Sequence, residues 1–485
     1  MERLRPHNVC RAARAARRTG ISLAIAVLAG SCGQVGRPGP PARVFLITVD
    51  TLRADHVGFG GYPRDTSPAL DGLAARSVVF DQAIAQWPKT GPSFASIFSG
   101  RYPQTTGLTH EAQIRLPEEF ETLPELFQAA GYRTVAVVSN AVLQADKGWS
   151  QGFDEYLQTW KDGPHPESRF EWKEAFSAPR VNRLAGPLLE RNADAAKLFV
   201  WLHYSDPHTP TFSLERQTNP FFGDPWYTGE EEVGAWFPKS ALIGQQRELR
   251  YYVAQYDVNV LYADTYIGRV LEQADALGLL EDALLIFTAD HGEALGDHDH
   301  YGHGALPYND TARVPLFFHR PDAVAEGRRV ERPVELVDLY PTLRELIAPD
   351  AAIEGLEGSS LAGFLPPRGL RRGFDPATFR YAFSEAGNRN PPNVYYRSVQ
   401  DQSLKLVFHP PIETTGREAR FELYDLEKDP QESHDLFTEW SDDGRRLGTA
   451  LADWMRVDPD AENGGSEDEI DAEMFEALRA LGYVE

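Results

Sequence analysis

Cysteine is almost missing from the 485-residue chain. Cys10 and Cys32 are its only two, too few for a disulfide framework or a cysteine-rich zinc module. Long apolar runs are missing as well. The run ISLAIAVLAGS near the N-terminus has 11 residues, short of the roughly 20 that a helix needs to cross a bilayer, and no later stretch reaches about 18 apolar residues in a row. Positive charge is in deficit, with 48 Lys+Arg against 72 Asp+Glu and a net charge of −24. Phosphate-backbone binders need clustered cations to release counterions, so nucleic acid is excluded as a general partner. Apolar material, by contrast, is ample at 42% of residues, enough for a packed core. The length suits two or three units of about 150 residues, or one large α/β domain with an appendage.

Residues 1–20 carry six arginines and one acid ahead of the apolar run, which is the layout of a signal peptide. The run closes in LAGSC, small residues leading to Cys32, and this resembles the bacterial lipoprotein box, whose cysteine is lipidated and begins the mature chain. The expectation is a lipoprotein-type signal peptide over 1–31 and export to the periplasm or the outer face of a bacterial membrane. Contact with the membrane is then through a lipid on Cys32 alone. Cleavage without lipidation and export by the twin-arginine route through Arg17-Arg18 are the alternatives.

A Gly/Pro-rich linker over 32–43 precedes VFLITV, a continuous β-branched run that ends at Asp50. Runs of this kind suit strands buried on both faces of a parallel sheet. TVAVVSN, KLFVWLHY, ALLIFTAD and VPLFFH repeat the pattern and alternate with helical segments such as TLPELFQAAG and YADTYIGRVLEQADALG. Alternation of this kind predicts an α/β fold, a large, mostly parallel sheet sandwiched by helices over 44–375. Ligands in such sheets lie beyond the carboxyl ends of the strands, so Asp50, Asn140, His203 to His208 and Asp290 are expected to converge. Past about residue 375 short segments, NVYYRSV, LKLVFHP and FELYDL, predict a small antiparallel sheet in a C-terminal subdomain over 376–485. That subdomain would end in an acidic linker and an amphipathic helix, MFEALRALGYV.

Two segments place acids and histidines directly after buried strands: VFLITVDTLRADHVGFGGY and LLIFTADHGEALGDHDHYGHG. A buried carboxylate without a partner costs several kcal/mol, so Asp50, Asp290 and His291 are expected to share a divalent cation. Helix capping is the other use of Asp at such turns. These segments, together with FASIFSGRYP, DPHTP, RVPLFF, VDLYPTL and LYDLEKDPQESHDL, resemble the sulfatase branch of the alkaline phosphatase superfamily, in the family's order and over most of the chain. The resemblance implies a large mixed sheet between helices followed by a small four-stranded sheet.

Departures from the family pattern bear on the chemistry. Where sulfatases carry C-x-P-x-R, with a cysteine or serine oxidised to formylglycine, this chain has Thr90-Gly91-Pro92-Ser93-Phe94. Oxidation of a secondary alcohol gives a ketone, so no formylglycine is expected, and the arginine of the motif is Phe94. A G-K-W-H-type segment is replaced around Asn140, a W-G-K-G lysine aligns with His303, and the second acid of the first strand's pair is Thr51. Threonine at the nucleophile position resembles related phosphodiesterases, phosphoethanolamine transferases and lipoteichoic acid synthases. A metal-activated Thr90 could attack in line and form a phospho-threonine.

The expected site is therefore a metal set of Asp50, Thr90, Asp290 and His291, with Asn140 on the substrate and one divalent ion, Ca, Mn or Zn. His208 and His303 touch the oxyanion or protonate the leaving oxygen. The other readings of those histidines are a second metal site of Asp206, His208 and His303 and a purely structural role, and Thr90 also suits a helix N-cap. Ser93 is expected at the pocket rim and Lys405 near the cleft, while His298 and His300 receive no role. The function expected is an exported hydrolase of a small-molecule or envelope-derived phosphoester. A sulfatase without formylglycine, an envelope phosphotransferase and a non-catalytic binding protein are the alternatives.

Overall fold

Continuous apolar runs build the core. The computed structural model describes residues 39–109, 115–161, 174–209, 218–223, 232–234, 236–321, 323–349, 354–366, 369–388, 394–439 and 442–455. The main sheet contains β1 (Arg43–Val49), β2 (Val78–Ile84), β3 (Arg133–Val138), β4 (Glu155–Gln158), β5 (Leu198–Tyr204) and β6 (Ala283–Ala289). After a short ribbon of β7 (Ala294–Leu295) and β8 (Tyr301–Gly302), β9 (Arg313–His319) and β10 (Arg328–Glu335) complete it. The eight strands lie in the order β10-β2-β9-β6-β1-β5-β3-β4. β9 runs antiparallel to both neighbours and every other pairing is parallel, which agrees with the mixed, mostly parallel sheet expected from the sequence.

Side chains alternate across a strand, and β5 shows how both faces are filled. Phe199 stacks on Phe127 of the helix Leu123–Ala129 at 4.1 Å, and Trp201 meets Phe94 and Phe98 of the helix Thr90–Ser99 at 5.0 and 4.9 Å. On the opposite face the Tyr204 hydroxyl donates to Asn182 Oδ1 at 2.9 Å, in the helix Ala178–Asn192, which packs against the long helix Leu249–Ala276. Helices therefore cover the sheet on two sides.

Strand register positions the site. Val49 is level with Tyr204 on one side and with Ala289 on the other, so Asp50, Ser205 and Asp290 leave the sheet at the same height. Val138 is level with His203, which brings Asn140 to that edge two residues later.

The second sheet is antiparallel in chain order: β11 (Ala382–Asn388), β12 (Val394–Gln400), β13 (Leu404–His409) and β14 (Arg420–Asp425). Its apolar face, with Val399, Leu406, Phe408 and Leu423, is covered by Leu447 and Leu451 of the helix Asp442–Met455. Neither β11 nor this helix was anticipated from the sequence. The sheets meet where Phe383 N donates to Glu335 Oε1 at 3.0 Å and Glu385 N to the Gln86 carbonyl at 2.9 Å. The leader with Cys32, the acidic linker and the terminal helix lie outside the described residues. Among the described residues no helix is long and apolar enough to cross a membrane.

Candidate metal centre and active site

The carboxyl ends of β1 and β6 deliver two fully buried carboxylates beside a buried imidazole. Asp50, Asp290 and His291 each present one ligand atom, and these three atoms lie within 4.8 Å of one another. His291 Nδ1 lies 2.9 Å from the Gly292 carbonyl. A carbonyl only accepts, so Nδ1 carries the proton and Nε2 is left as a lone pair. That lone pair faces Asp290 Oδ2 at 3.4 Å and Asp50 Oδ1 at 3.8 Å. All three atoms are buried and make no hydrogen bond among the described residues. Three electron-rich atoms aimed at one point repel unless a cation lies between them, and two carboxylates with one imidazole fit a divalent metal.

Neighbouring groups hold these ligands in place. Asp290 Oδ1 accepts from His291 N at 3.0 Å and from Thr51 N at 3.3 Å. Thr51 has φ 57, costly for a β-branched residue, and is fixed by its hydroxyl on the Asp50 carbonyl at 2.7 Å and by Tyr256 Oη on its own carbonyl at 2.7 Å. Gly292 passes so close to the short 309–312 helix that a Cβ there would lie 2.2 Å from the Asp310 carbonyl oxygen. The glycine of D-H-G-E is thus required by close approach.

Asn140 joins the ligands to Thr90. Its Oδ1 accepts from Val142 N at 2.8 Å, so its amide nitrogen is turned to Asp50 Oδ2 at 2.5 Å and to Thr90 Oγ1 at 3.3 Å. Thr90 is the first residue of the helix Thr90–Ser99, with Lys89 in the N-cap position, so Thr90 is not the N-cap itself. Ser93 is not at the rim: it is fully buried and donates to the Asp290 carbonyl at 2.6 Å, tying this helix to the end of β6. Phe94 is buried with its ring 5.1 Å from that of His203.

Trp201 Nε1 donates to Thr48 Oγ1 at 3.0 Å, and the Thr48 hydroxyl lies 2.9 Å from His203 Nδ1. The Thr48 proton therefore goes to Nδ1, and the remaining ring proton, on Nε2, faces Asp50 Oδ2 at 3.9 Å. Ser205 donates to the same oxygen at 3.3 Å. Burial pushes the Asp50 carboxyl up, but His208, His203, His291 and His303 together hold it well below its usual range. Burial, then the charge on Asp50, pushes Asp290 well up. From their side chains alone the two carboxylates would keep a proton, whereas a cation's charge lets both ionise. Burial, then His303, lowers His291 to about 3, and burial lowers His203 to about 4. Both rings are neutral near pH 7.

His303 behaves in the opposite sense. Its Nδ1 lies 3.0 Å from Oε1 of the fully buried Glu293, and this carboxylate outweighs burial to raise the imidazole above its ordinary value. Its ring is 4.5 Å from that of His291 and 5.0 Å from that of His208. His208 donates from Nδ1 to the Thr209 carbonyl at 2.6 Å, leaving Nε2 as an acceptor. Asp206 Oδ1 accepts from Ala178 N at 3.0 Å, and among the described residues the Asp50, Asp290, His291 group is the one with metal-ligand geometry. The second-metal reading of Asp206, His208 and His303 has no geometric support.

Asp50, Thr90, Asn140, Asp290, His291 and, beside them, His208 and His303 thus gather at one edge. Lys405 does not. It is buried in an ion pair with Glu432 at 2.7 Å and donates to Asn309 Oδ1 at 3.0 Å. His298 stacks on Tyr308 at 3.7 Å, away from the ligands. Glu293 received no role from the sequence, although its place between His291 and a downstream histidine in D-H-G-E was the signal that could have found it. The contacts of Ser205 and Ser93 had none.

A family profile described as Sulfatase matches residues 42–348. The ulvan-active sulfatase of Formosa agariphila is 28% identical over 68% of this chain and 66% of its own length, so the chain spans about two thirds of that relative. The uncharacterised sulfatase YidJ of Escherichia coli is 26% identical over 86% of this chain and 87% of its own. Among solved structures, the phosphonate monoester hydrolase SpPMH from Silicibacter pomeroyi superposes with a TM-score of 0.67 at 20% identity, covering 86% of this chain and 94% of that one. At that identity the likeness is one of fold.

Proposed function

The chain belongs to the sulfatase family, and from this membership we propose a metal-dependent hydrolase that cleaves a phosphodiester or phosphonate ester through the hydroxyl of Thr90. The observation that carries the reading is the convergence of Asp50 Oδ1, Asp290 Oδ2 and His291 Nε2, with Asn140 bridging Asp50 to Thr90. A divalent ion held by these three residues would lower the pKa of an adjacent hydroxyl and polarise a phosphoryl oxygen. Ca, Mn and Zn each suit that donor set.

The protein's own groups divide the rest of the work. Asn140 orients the Thr90 hydroxyl, and the start of the ten-residue helix Thr90–Ser99 favours negative charge beside it. The Thr90 hydroxyl, made more acidic beside a bound cation, releases its proton to solvent, and its oxygen forms its bond to phosphorus as the ester P–O bond breaks. His303, kept protonated by Glu293, gives its proton to the departing oxygen. Water then attacks the phosphorus of the phospho-threonine, giving a proton to His303, the Thr90 Oγ1–P bond breaks, the threonine oxygen regains a proton from solvent, and a phosphate monoester or a phosphonate leaves. His208 turns Nε2 to the same space and, once protonated there, donates to a transferring oxygen. The Arg-rich leader and LAGSC support export and a lipid anchor at Cys32.

Sulfate ester hydrolysis is the second reading, favoured by the names of the relatives. Against it stand Thr90, whose secondary alcohol gives no aldehyde, and Phe94, an aromatic packed on His203 in place of a charged contact. One fold neighbour bears the name phosphonate monoester hydrolase, so the fold also accommodates cleavage at phosphorus.

The test assays the purified chain with Mn, Zn or Ca on p-nitrophenyl phosphate, bis-p-nitrophenyl phosphate, a p-nitrophenyl phenylphosphonate and p-nitrophenyl sulfate. Phosphorus esters are expected to turn over and Thr90→Ala to abolish it. Sulfate hydrolysis that survives Thr90→Ala would overturn the mechanism. A wild type that is inert on every ester while binding metal would favour a binding protein, and product appearing on glycerol rather than water would favour a transferase.

A further inference from the structure

We propose that Lys89 is the cation that receives the charged oxygens of the tetrahedral group transferred at Thr90. This deepens the reading above and rests on it for where the reacting group lies. Lys89 directly precedes Thr90, is half-buried, and occupies the N-cap position with an extended backbone, φ −148 and ψ 144. Its segment is anchored: Lys89 N donates to the Trp87 carbonyl at 2.8 Å, and Trp87 meets Tyr395 of the small sheet edge-on at 5.8 Å.

The side chain runs from Thr90 towards His303. Its stem lies against Gly304, where a Cβ would be 2.3 Å from Lys89 Cε and 2.9 Å from Cγ. Gly304 has φ +87 and its carbonyl accepts from Gly387 N of β11 at 3.2 Å. Position 304 is therefore held by the small sheet in a conformation that suits glycine, and the space a side chain would fill is taken by Lys89. Lys89 thus spans from beside the nucleophile to the residue that follows His303, and the transferred group reacts between those two side chains.

Charge balance gives that position a purpose. Asp50, Asp290 and Glu293 bring three buried carboxylates to the site, which a divalent ion and the protonated His303 paired with Glu293 together offset. An anionic substrate adds further negative charge, which needs a compensating cation in a water-poor site. Phe94 brings an aromatic ring instead of a charge. A lysine is a flexible point charge able to follow oxygens as the centre inverts.

The test is calorimetric titration of the manganese-loaded chain with inorganic phosphate, for wild type, Lys89→Met and Lys89→Arg, beside titration of each metal-free chain with manganese alone. Lys89→Met is expected to bind phosphate about tenfold or more weakly, the usual scale for a charge-assisted hydrogen bond. Lys89→Arg should recover most of the loss, and manganese affinity should stay within about twofold. Equal phosphate affinity in wild type and Lys89→Met would overturn the proposal, and so would a parallel loss of manganese binding. Weakened phosphate binding in a chain that hydrolyses no ester would sustain this role for Lys89 while refuting the hydrolase. Phosphoester turnover untouched by Lys89→Met would do the reverse.

Discussion

Replacing Asp290 by Asn should make the metal-free protein more stable and the metal-loaded protein less so. Asp290 Oδ1 accepts from His291 N and Thr51 N, and an amide oxygen keeps both bonds. Its Oδ2, which makes no hydrogen bond and faces the His291 Nε2 lone pair at 3.4 Å, becomes an N–H donor pointed at an acceptor. The change removes the cost of protonating a buried carboxyl at neutral pH and satisfies one buried atom, together a gain of about 1–3 kcal/mol in the presence of chelator. With a divalent ion at about 100 times its Kd the wild type gains about 2.7 kcal/mol by mass action, and a variant short of one anionic ligand gains far less. The order of the two proteins therefore reverses with metal. Urea unfolding of both, in EDTA and in Mn, Zn or Ca, reads this directly. If Asp290→Asn is the less stable protein in EDTA and responds to metal as the wild type does, the cation reasoning is refuted.

Phe94→Ala removes a fully buried ring packed on Phe98, Trp201 and His203 and should cost about 3–5 kcal/mol in urea unfolding. Gly292→Ala drives a Cβ into the Asp310 carbonyl and should weaken metal binding by calorimetry about tenfold, as displaced support of a ligand does. Far from the ligands, Glu335 and Asp338 share a buried junction. Burial, then Asp338, raises Glu335 to about 8, and burial raises Asp338 to about 7. The folded chain holds these protons where the unfolded chain has lost them, so their contribution is full at the acid end and is lost as pH rises from the ordinary carboxylate range to about 8. Unfolding at a series of pH values should show that decline, and Glu335→Gln should flatten it.

How far the site could be read in advance depended on how locally each residue is determined. Asp50, Asn140 and Asp290 follow buried β-branched runs, so periodicity and the strand-end rule placed them at one edge before register confirmed it. His291 was legible by adjacency. Glu293 was marked only by its place in D-H-G-E, and its pairing with His303 was not legible, because His303 returns through the ribbon of β7 and β8, whose path no periodicity encodes. Ser93 was expected at the pocket rim, yet its helix packs so tightly on the sheet that every residue from Thr90 to Ser99 is buried. Lys405 misled for the opposite reason: it resembles a residue at the cleft, but the descent of β13 into the junction gives its charge to Glu432. β11, AFSEAGN, is too short in apolar residues to announce a strand, and pairing with β12 makes it one.

Quenching the chain during turnover of bis-p-nitrophenyl phosphate and mapping its peptides by mass spectrometry tests the account most directly. A phosphoryl-type adduct on Thr90, formed only with divalent metal and lost in Asp290→Asn, is the predicted result. Steady turnover with Thr90 unmodified, or with the adduct on another side chain, would contradict it.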